Sequence, residues 1–103
     1  MVLKIVTNDD IIHLVKEKDM TLEYITEYID KKIYKNSKLI TVTFYELRIK
    51  EDLSKDDTFI FLNMSKQRLI NLGYKIFETG QRFIFEGKEK VVRSNVFYVA
   101  IKE

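Results

Sequence analysis

Val42-Thr43-Phe44-Tyr45-Glu46-Leu47 and, a few residues on, Leu53-Ser54-Lys55-Asp56-Asp57 carry one helix-start pattern twice. In the first, the Thr43 hydroxyl can accept from the Glu46 amide, the Glu46 carboxylate can reach back to the Thr43 amide, and Val42 can pack on Leu47: a capping box with a hydrophobic staple. In the second, Ser54 and Asp57 repeat the box with Asp in place of Glu, and the staple lacks its second apolar member. Two starts this close leave room for a short helix, a tight turn and a second helix.

Working outward, Leu39-Ile40-Thr41-Val42 is short and rich in β-branched residues, so a small strand is expected before the Thr43 cap. One long strand from Leu39 to Ile49 is the alternative; neither parity is consistently apolar over that range, which favours strand then helix. Thr58-Phe59-Ile60-Phe61-Leu62 has strand propensity, yet Leu62, Leu69 and Leu72 with Phe59 and Ser65 fall on one helical side, and Gly73 supplies a left-handed stop. A helix over 55–72 is therefore preferred. Upstream, Leu22, Ile25, Ile29 and Ile33 recur at three- and four-residue steps and predict an amphipathic helix over 21–34 with one core face. Before it, 2–6 suits a short strand and Asn8-Asp9-Asp10-Ile11 opens a helix to about Lys18.

The remainder reads as β. Residues 74–78, 82–86, 89–92 and 96–101 are strand candidates separated by Thr79-Gly80-Gln81, Gly87-Lys88 and Arg93-Ser94-Asn95; Gly87 would stand first in a two-residue type II′ loop. The fold class expected is α+β in a single domain, residues 1–103: N-terminal helices, a helix-turn-helix-like pair and a C-terminal antiparallel β-hairpin region, with 1–20 an extension of the 21–103 core. From Thr21 onward the order of elements resembles the winged-helix variant of the helix-turn-helix, a likeness of topology with no family-specific motif.

Composition narrows the function classes. With 46% apolar and 13% aromatic side chains, 103 residues can build one core. The formal charge of +2 announces neither a nucleic acid nor a membrane surface, although residues 1–57 carry 10 basic and 12 acidic groups and 58–103 carry 8 and 4. Without cysteine there are no disulfides, thiolate metal sites or cysteine nucleophiles, which suits a cytoplasmic setting. No segment has about 18 consecutive apolar residues, so no membrane partner is expected. The lack of Pro and Trp, with abundant Ile, Lys, Asn, Tyr and Phe, resembles the coding bias of an AT-rich bacterium, its phage or a mobile element.

Catalytic chemistry is poorly represented. His13 is the only histidine, which excludes a multi-His metal cluster or a two-His acid–base pair within one chain. Asp9-Asp10 and Asp56-Asp57 sit at expected helix starts, where the helix dipole accounts for them. Gly73, Gly80 and Gly87 are isolated, so no glycine loop cradles a phosphate. No cofactor, metal or catalytic residue is expected.

Binding is better represented. The winged-helix resemblance implies that the 55–72 helix enters the major groove and the hairpin approaches phosphates; Lys55, Thr58, Lys66 and Arg68 on the helix and Lys88, Lys90 and Arg93 around the hairpin would then contact duplex DNA. Asp56 and Asp57 oppose this, being carboxylates where phosphates would lie. If 55–72 is helical, Ile60, Phe61 and Met64 lie off its main stripe, Phe44 and Leu47 lie off the core side of the short helix, and Tyr24 and Tyr28 sit one turn apart beside a core stripe: candidates for a protein interface or a homodimer. Phe83, Phe85, Phe97 and Tyr98 among Arg82, Lys90 and Arg93 offer a third use, stacking single-stranded bases. The leading expectation is a small non-catalytic regulator, phage or mobile-element encoded, that docks on a host protein or protein complex as an inhibitor or modulator. A winged-helix DNA-binding transcriptional regulator is the alternative, and a single-strand-binding sheet the third.

Overall fold

A computed structural model describes residues 21–103. The strand expected over 2–6, the helix from Asn8, His13 and the Asp9-Asp10 pair lie outside them. The order is α1 (Leu22–Lys35), β1 (Leu39–Thr43), a π-helical segment (Tyr45–Lys50), α2 (Lys55–Asn71), β2 (Lys75–Glu78), β3 (Arg82–Phe85), β4 (Lys88–Val91) and β5 (Val96–Ile101). The chain is therefore α+β, with helices followed by antiparallel sheet.

Both helix-start cassettes form. Thr43 Oγ1 accepts from the Glu46 amide at 3.2 Å and Glu46 Oε1 accepts from the Thr43 amide at 3.4 Å, while Val42 and Leu47 are both fully buried in one cluster. Ser54 Oγ accepts from the Asp57 amide at 3.1 Å, and Thr21 caps α1 through the Tyr24 amide at 3.1 Å. The π-helical segment is wound more widely than an α-helix, with the Glu51 amide donating to the Glu46 carbonyl at 2.8 Å. Asp52 leaves it in the left-handed region (φ 55°), a conformation that short polar side chains tolerate. α2 closes on Gly73 (φ 99°): its amide donates to the Ile70 carbonyl and that of Tyr74 to the Leu69 carbonyl, the Schellman pattern that frees a helix end from unpaired acceptors.

β5 lies between β1 and β2 in a three-stranded antiparallel sheet, and β3 and β4 form a separate hairpin. Being central, β5 is buried on both faces, which is why Val96–Ile101 is almost wholly apolar instead of alternating. Tyr98 and Ala100 join Ile25, Ile29, Phe61 and Leu69 in the core on the helical side. Val96, Val99 and Ile101 face the other way and are covered by Phe83 and Val92, with Phe77 and Phe83 rings 5.6 Å apart. The pairing of β1 with β5 shifts between Val42 and Thr43, where Thr43 aligns with Val96 and Phe97 is the extra residue.

Three sequence expectations need correction here. The β3–β4 loop is Glu86-Gly87, with both residues at positive φ (53° and 78°) and Phe85 paired with Lys88; it is a type I′ turn with glycine second, the form whose twist matches the flanking strands. The buried side of α2 is Thr58, Phe61, Ser65 and Leu69, so Phe61 belongs to the core while Phe59 and Leu72 are exposed. Leu47 is likewise fully buried, whereas Leu22, expected on the core face of α1, is exposed.

Tyr98 shows why the buried stripe of α2 includes a serine. Its ring fills the space beside the small Ser65 side chain and its hydroxyl is 2.7 Å from Ser65 Oγ, so two buried polar groups satisfy each other. Burial holds the phenol above its ordinary pKa of 10.0, partly offset by the Ser65 hydrogen bond. Below pH 10 both states keep the proton and the contribution is fully present. Above it the unfolded chain ionises first, so this residue alone removes about 1.4 kcal/mol of stability per pH unit until the folded phenol ionises too. In urea unfolding between pH 9 and about 11, Tyr98→Phe is expected to be offset from the wild type at all pH and to lose stability less steeply above pH 10. Parallel curves would sink this account.

Candidate protein-docking groove

The tyrosines expected to anchor a partner are committed inside the chain. α1 lies along the π-helical segment, and Tyr28 Oη donates to Glu46 Oε1 at 3.1 Å while Tyr24 Oη donates to Glu51. Both rings meet Phe61 edge to face, at 4.9 Å for Tyr28 and 6.2 Å for Tyr24. Burial first, then the adjacent carboxylates, hold both phenols neutral well above their usual range. Glu46 is the hub of this seam, because Lys32 Nζ also donates to it and to the Thr41 carbonyl at 2.9 Å. Glu46→Ala removes half of the capping box and leaves a half-buried ammonium without its counter-ion. It is expected to cost about 2–3 kcal/mol in chemical denaturation, with Glu46→Gln retaining roughly half of that. A loss below about 0.5 kcal/mol would show the seam to be decorative.

On the other side of the π-helical segment large apolar groups are exposed among the described residues. Phe44, at the segment's start, is 43% exposed; Phe59 and Ile60, in the first turns of α2, are 66% and 41% exposed. With Leu62 and Phe97 they line a groove of about 510 Å³. Phe97 reaches it because it is the extra residue of the β5 irregularity; such a bulge re-aims a side chain, and here the ring lies 3.9 Å from that of Phe44. Arg48, Lys55 and Asp56 border the groove. Arg48 Nε donates to the Leu53 carbonyl at 3.1 Å, which anchors the guanidinium beside it.

The remaining candidates are dispersed. Thr58 is buried and its hydroxyl donates to the Ser54 carbonyl at 2.7 Å. Lys66 is paired with Glu78 at 2.7 Å and Arg68 with Asp30 at 3.0 Å, so neither points freely from α2. Lys55, Lys88, Lys90 and Arg93 are exposed, the last three on or beside the hairpin. Met64 is half-buried against the core. Of the aromatics expected to stack single-stranded bases, Tyr98 is buried in the core on the helical side and Phe83 is nearly buried where the hairpin covers the sheet's second face, while Phe85 and Phe97 are half-buried.

Phe59, Phe97 and Arg48 are not among the protein-interface candidates that the sequence offers, Phe97 being placed there only with the base-stacking aromatics. One signal was available: Phe59-Ile60-Phe61 places three large apolar residues across about 200° of a helix, more than one buried face accommodates. Which of them would face outward depended on the packing of Tyr24 and Tyr28. Among the described residues no cluster of three or more His, Cys, Asp or Glu is placed to hold a metal ion, and no helix is long and apolar enough to cross a membrane. In comparison with known proteins, the chain matches no family model, no curated protein and no solved structure.

Proposed function

We propose that this chain is a small non-catalytic binding module that docks on another protein through the groove formed by Phe44, Phe59, Ile60 and Phe97, and modulates or inhibits the protein it covers. The observation that carries the proposal is the outward side of α2. In a winged-helix DNA reader this side meets base edges and phosphates; here its first turns present Phe59 and Ile60 beside Asp56, and the cations further along, Lys66 and Arg68, are held in intramolecular ion pairs. Exposed aromatic and aliphatic groups around a concave surface are the usual anchors of a protein interface.

The border of the groove narrows the partner. Arg48 and Lys55 outnumber Asp56, so the complementary surface is an amphipathic helix whose large apolar residues enter the groove and whose flanking carboxylate meets the two cations. The order of helix, strand, short helix, helix and four further strands, two of them a hairpin, supports a winged-helix-like scaffold for this use, and the AT-rich composition supports a phage or mobile-element source with a bacterial host protein as target.

Duplex DNA is the second reading. Asn63 and Gln67 are exposed one turn apart on α2, where side-chain amides suit adenine edges, and Lys88, Lys90 and Arg93 are exposed around the hairpin. The readings separate in a nuclease-treated pull-down with wild-type and Phe59→Asp baits, run beside a duplex titration from about 50 to 200 mM salt. A protein retained by the wild type and released by Phe59→Asp, with no duplex binding, is the expected result. Salt-dependent duplex binding that weakens when Lys88, Lys90 and Arg93 are replaced, with no protein retained, would overturn the ordering.

A further inference from the structure

A second cleft, separate from the docking groove, lies on the opposite flank of the π-helical segment. It holds about 190 Å³ between the C-terminal half of α1 and Lys50, the room of about six water molecules. Lys31, Lys32, Lys35 and Lys50 line it, with Tyr28 and the carboxylates of Glu46 and Glu51. Four ammonium groups against two carboxylates leave a formal charge of +2 on a small volume.

The carboxylates offset the site only in part: Lys32 is paired with Glu46, and the one further carboxylate, Glu51, stands against three more ammonium groups. Glu46 accepts from Lys32, Tyr28 and the Thr43 amide, and Glu51 accepts from Tyr24. Lys31, Lys35 and Lys50 are exposed, and no ion pair among the described residues uses them. Lys31 and Lys35 stand one turn apart on α1, where like charges repel, and Lys50 comes from a different element. The negative ends of the helices account for a basic residue in each last turn. They do not account for the convergence of three uncommitted ammonium groups on one cleft.

We propose that this cleft binds a phosphoryl anion of the size of a diphosphate, held by Lys31, Lys35 and Lys50 as three point charges. Lys32 is already fixed by Glu46 and the Thr41 carbonyl and forms the wall beneath them. Such an anion would relieve the repulsion among the three lysines and link α1 to the π-helical segment.

The test is calorimetric titration of the full chain with inorganic pyrophosphate, at low ionic strength and against a chloride control of equal ionic strength. Saturable binding at one site is expected. The triple variant Lys31→Gln, Lys35→Gln, Lys50→Gln is expected to bind at least about tenfold more weakly, while Lys38→Gln, Lys75→Gln, Lys102→Gln, with the same change in net charge, stays within about twofold. All six side chains are exposed, and circular dichroism checks that both variants keep the fold. ADP in place of pyrophosphate identifies the source: equal affinity assigns the diphosphate end of a nucleotide, and binding of pyrophosphate alone assigns the free anion. Absence of saturation at millimolar pyrophosphate, or equal weakening in the two triple variants, would overturn the proposal; neither outcome bears on the docking groove.

Discussion

Replacing Phe61 with alanine is expected to lower the stability of the domain by about 3–5 kcal/mol, which for a domain of this size corresponds to a fall in Tm of roughly 12–40 °C. Phe61 is 0% exposed and stands where three elements meet: α2 carries it, Tyr24 and Tyr28 of α1 pack edge to face on its ring, and it shares a cluster with Leu47 and Tyr98. Truncation loses the transfer free energy of the ring, the two aromatic contacts and the packing of a cavity that cannot collapse, since the tyrosines are tethered to Glu46 and Glu51. As a single domain has about 5–15 kcal/mol in total, the loss removes between about a fifth and all of it. Phe61→Leu, which refills much of the volume, should recover more than half of the loss. Urea unfolding with circular dichroism detection decides the matter; a change below 1 kcal/mol would return Phe61 to the surface role its sequence position suggested.

Phe59→Asp, two residues away, is expected to do the reverse. The side chain is 66% exposed, so stability should stay within about 0.5 kcal/mol of the wild type. Binding should suffer far more. The new carboxylate would enter an apolar groove beside Asp56, losing an aromatic anchor and adding a desolvation penalty, and interface anchors of this kind are worth at least about 2 kcal/mol and up to 4 or more. An affinity loss of at least about 100-fold for the captured protein, by surface plasmon resonance, is the expected result. Phe44→Ala should weaken the same complex less, because the Phe97 ring that it stacks against remains in the groove. Undiminished capture by a folded Phe59→Asp variant would remove the groove from the proposal.

The contrast between Phe59 and Phe61, two residues apart, also marks the limit of what periodicity decides. The caps were legible because each is a contact over three residues: Thr43 with Glu46, Ser54 with Asp57, and the closing hydrogen bonds at Gly73 depend on almost nothing beyond the local chain. The rotation of α2 was not legible, since Phe59, Ile60, Phe61 and Leu62 are all large and apolar and periodicity cannot rank them. Ser65 was the discriminating residue. A small hydroxyl in a buried stripe makes sense only opposite a buried partner, and that partner, Tyr98, lies 33 residues away on the central strand.

Over residues 21–103 the sequence by itself carried the preferred element order, the ends of α1 and α2, the strand boundaries to within a residue or two, and the α+β class, because these follow from backbone hydrogen bonding and from side-chain periods that neighbours in the chain impose. Tertiary structure alone decided which apolar side chains are core and which are surface. It turned Tyr24, Tyr28 and Phe61 inward through contacts between α1, α2 and the π-helical segment, and it laid Phe83 against the back of the sheet. It also brought Phe97 beside Phe44 by an irregularity in the pairing of β5 with β1, and drew Lys31, Lys35 and Lys50 around one cleft. The physical reason is common to all of these. Burial and charge convergence are properties of surfaces that exist only once distant segments have packed.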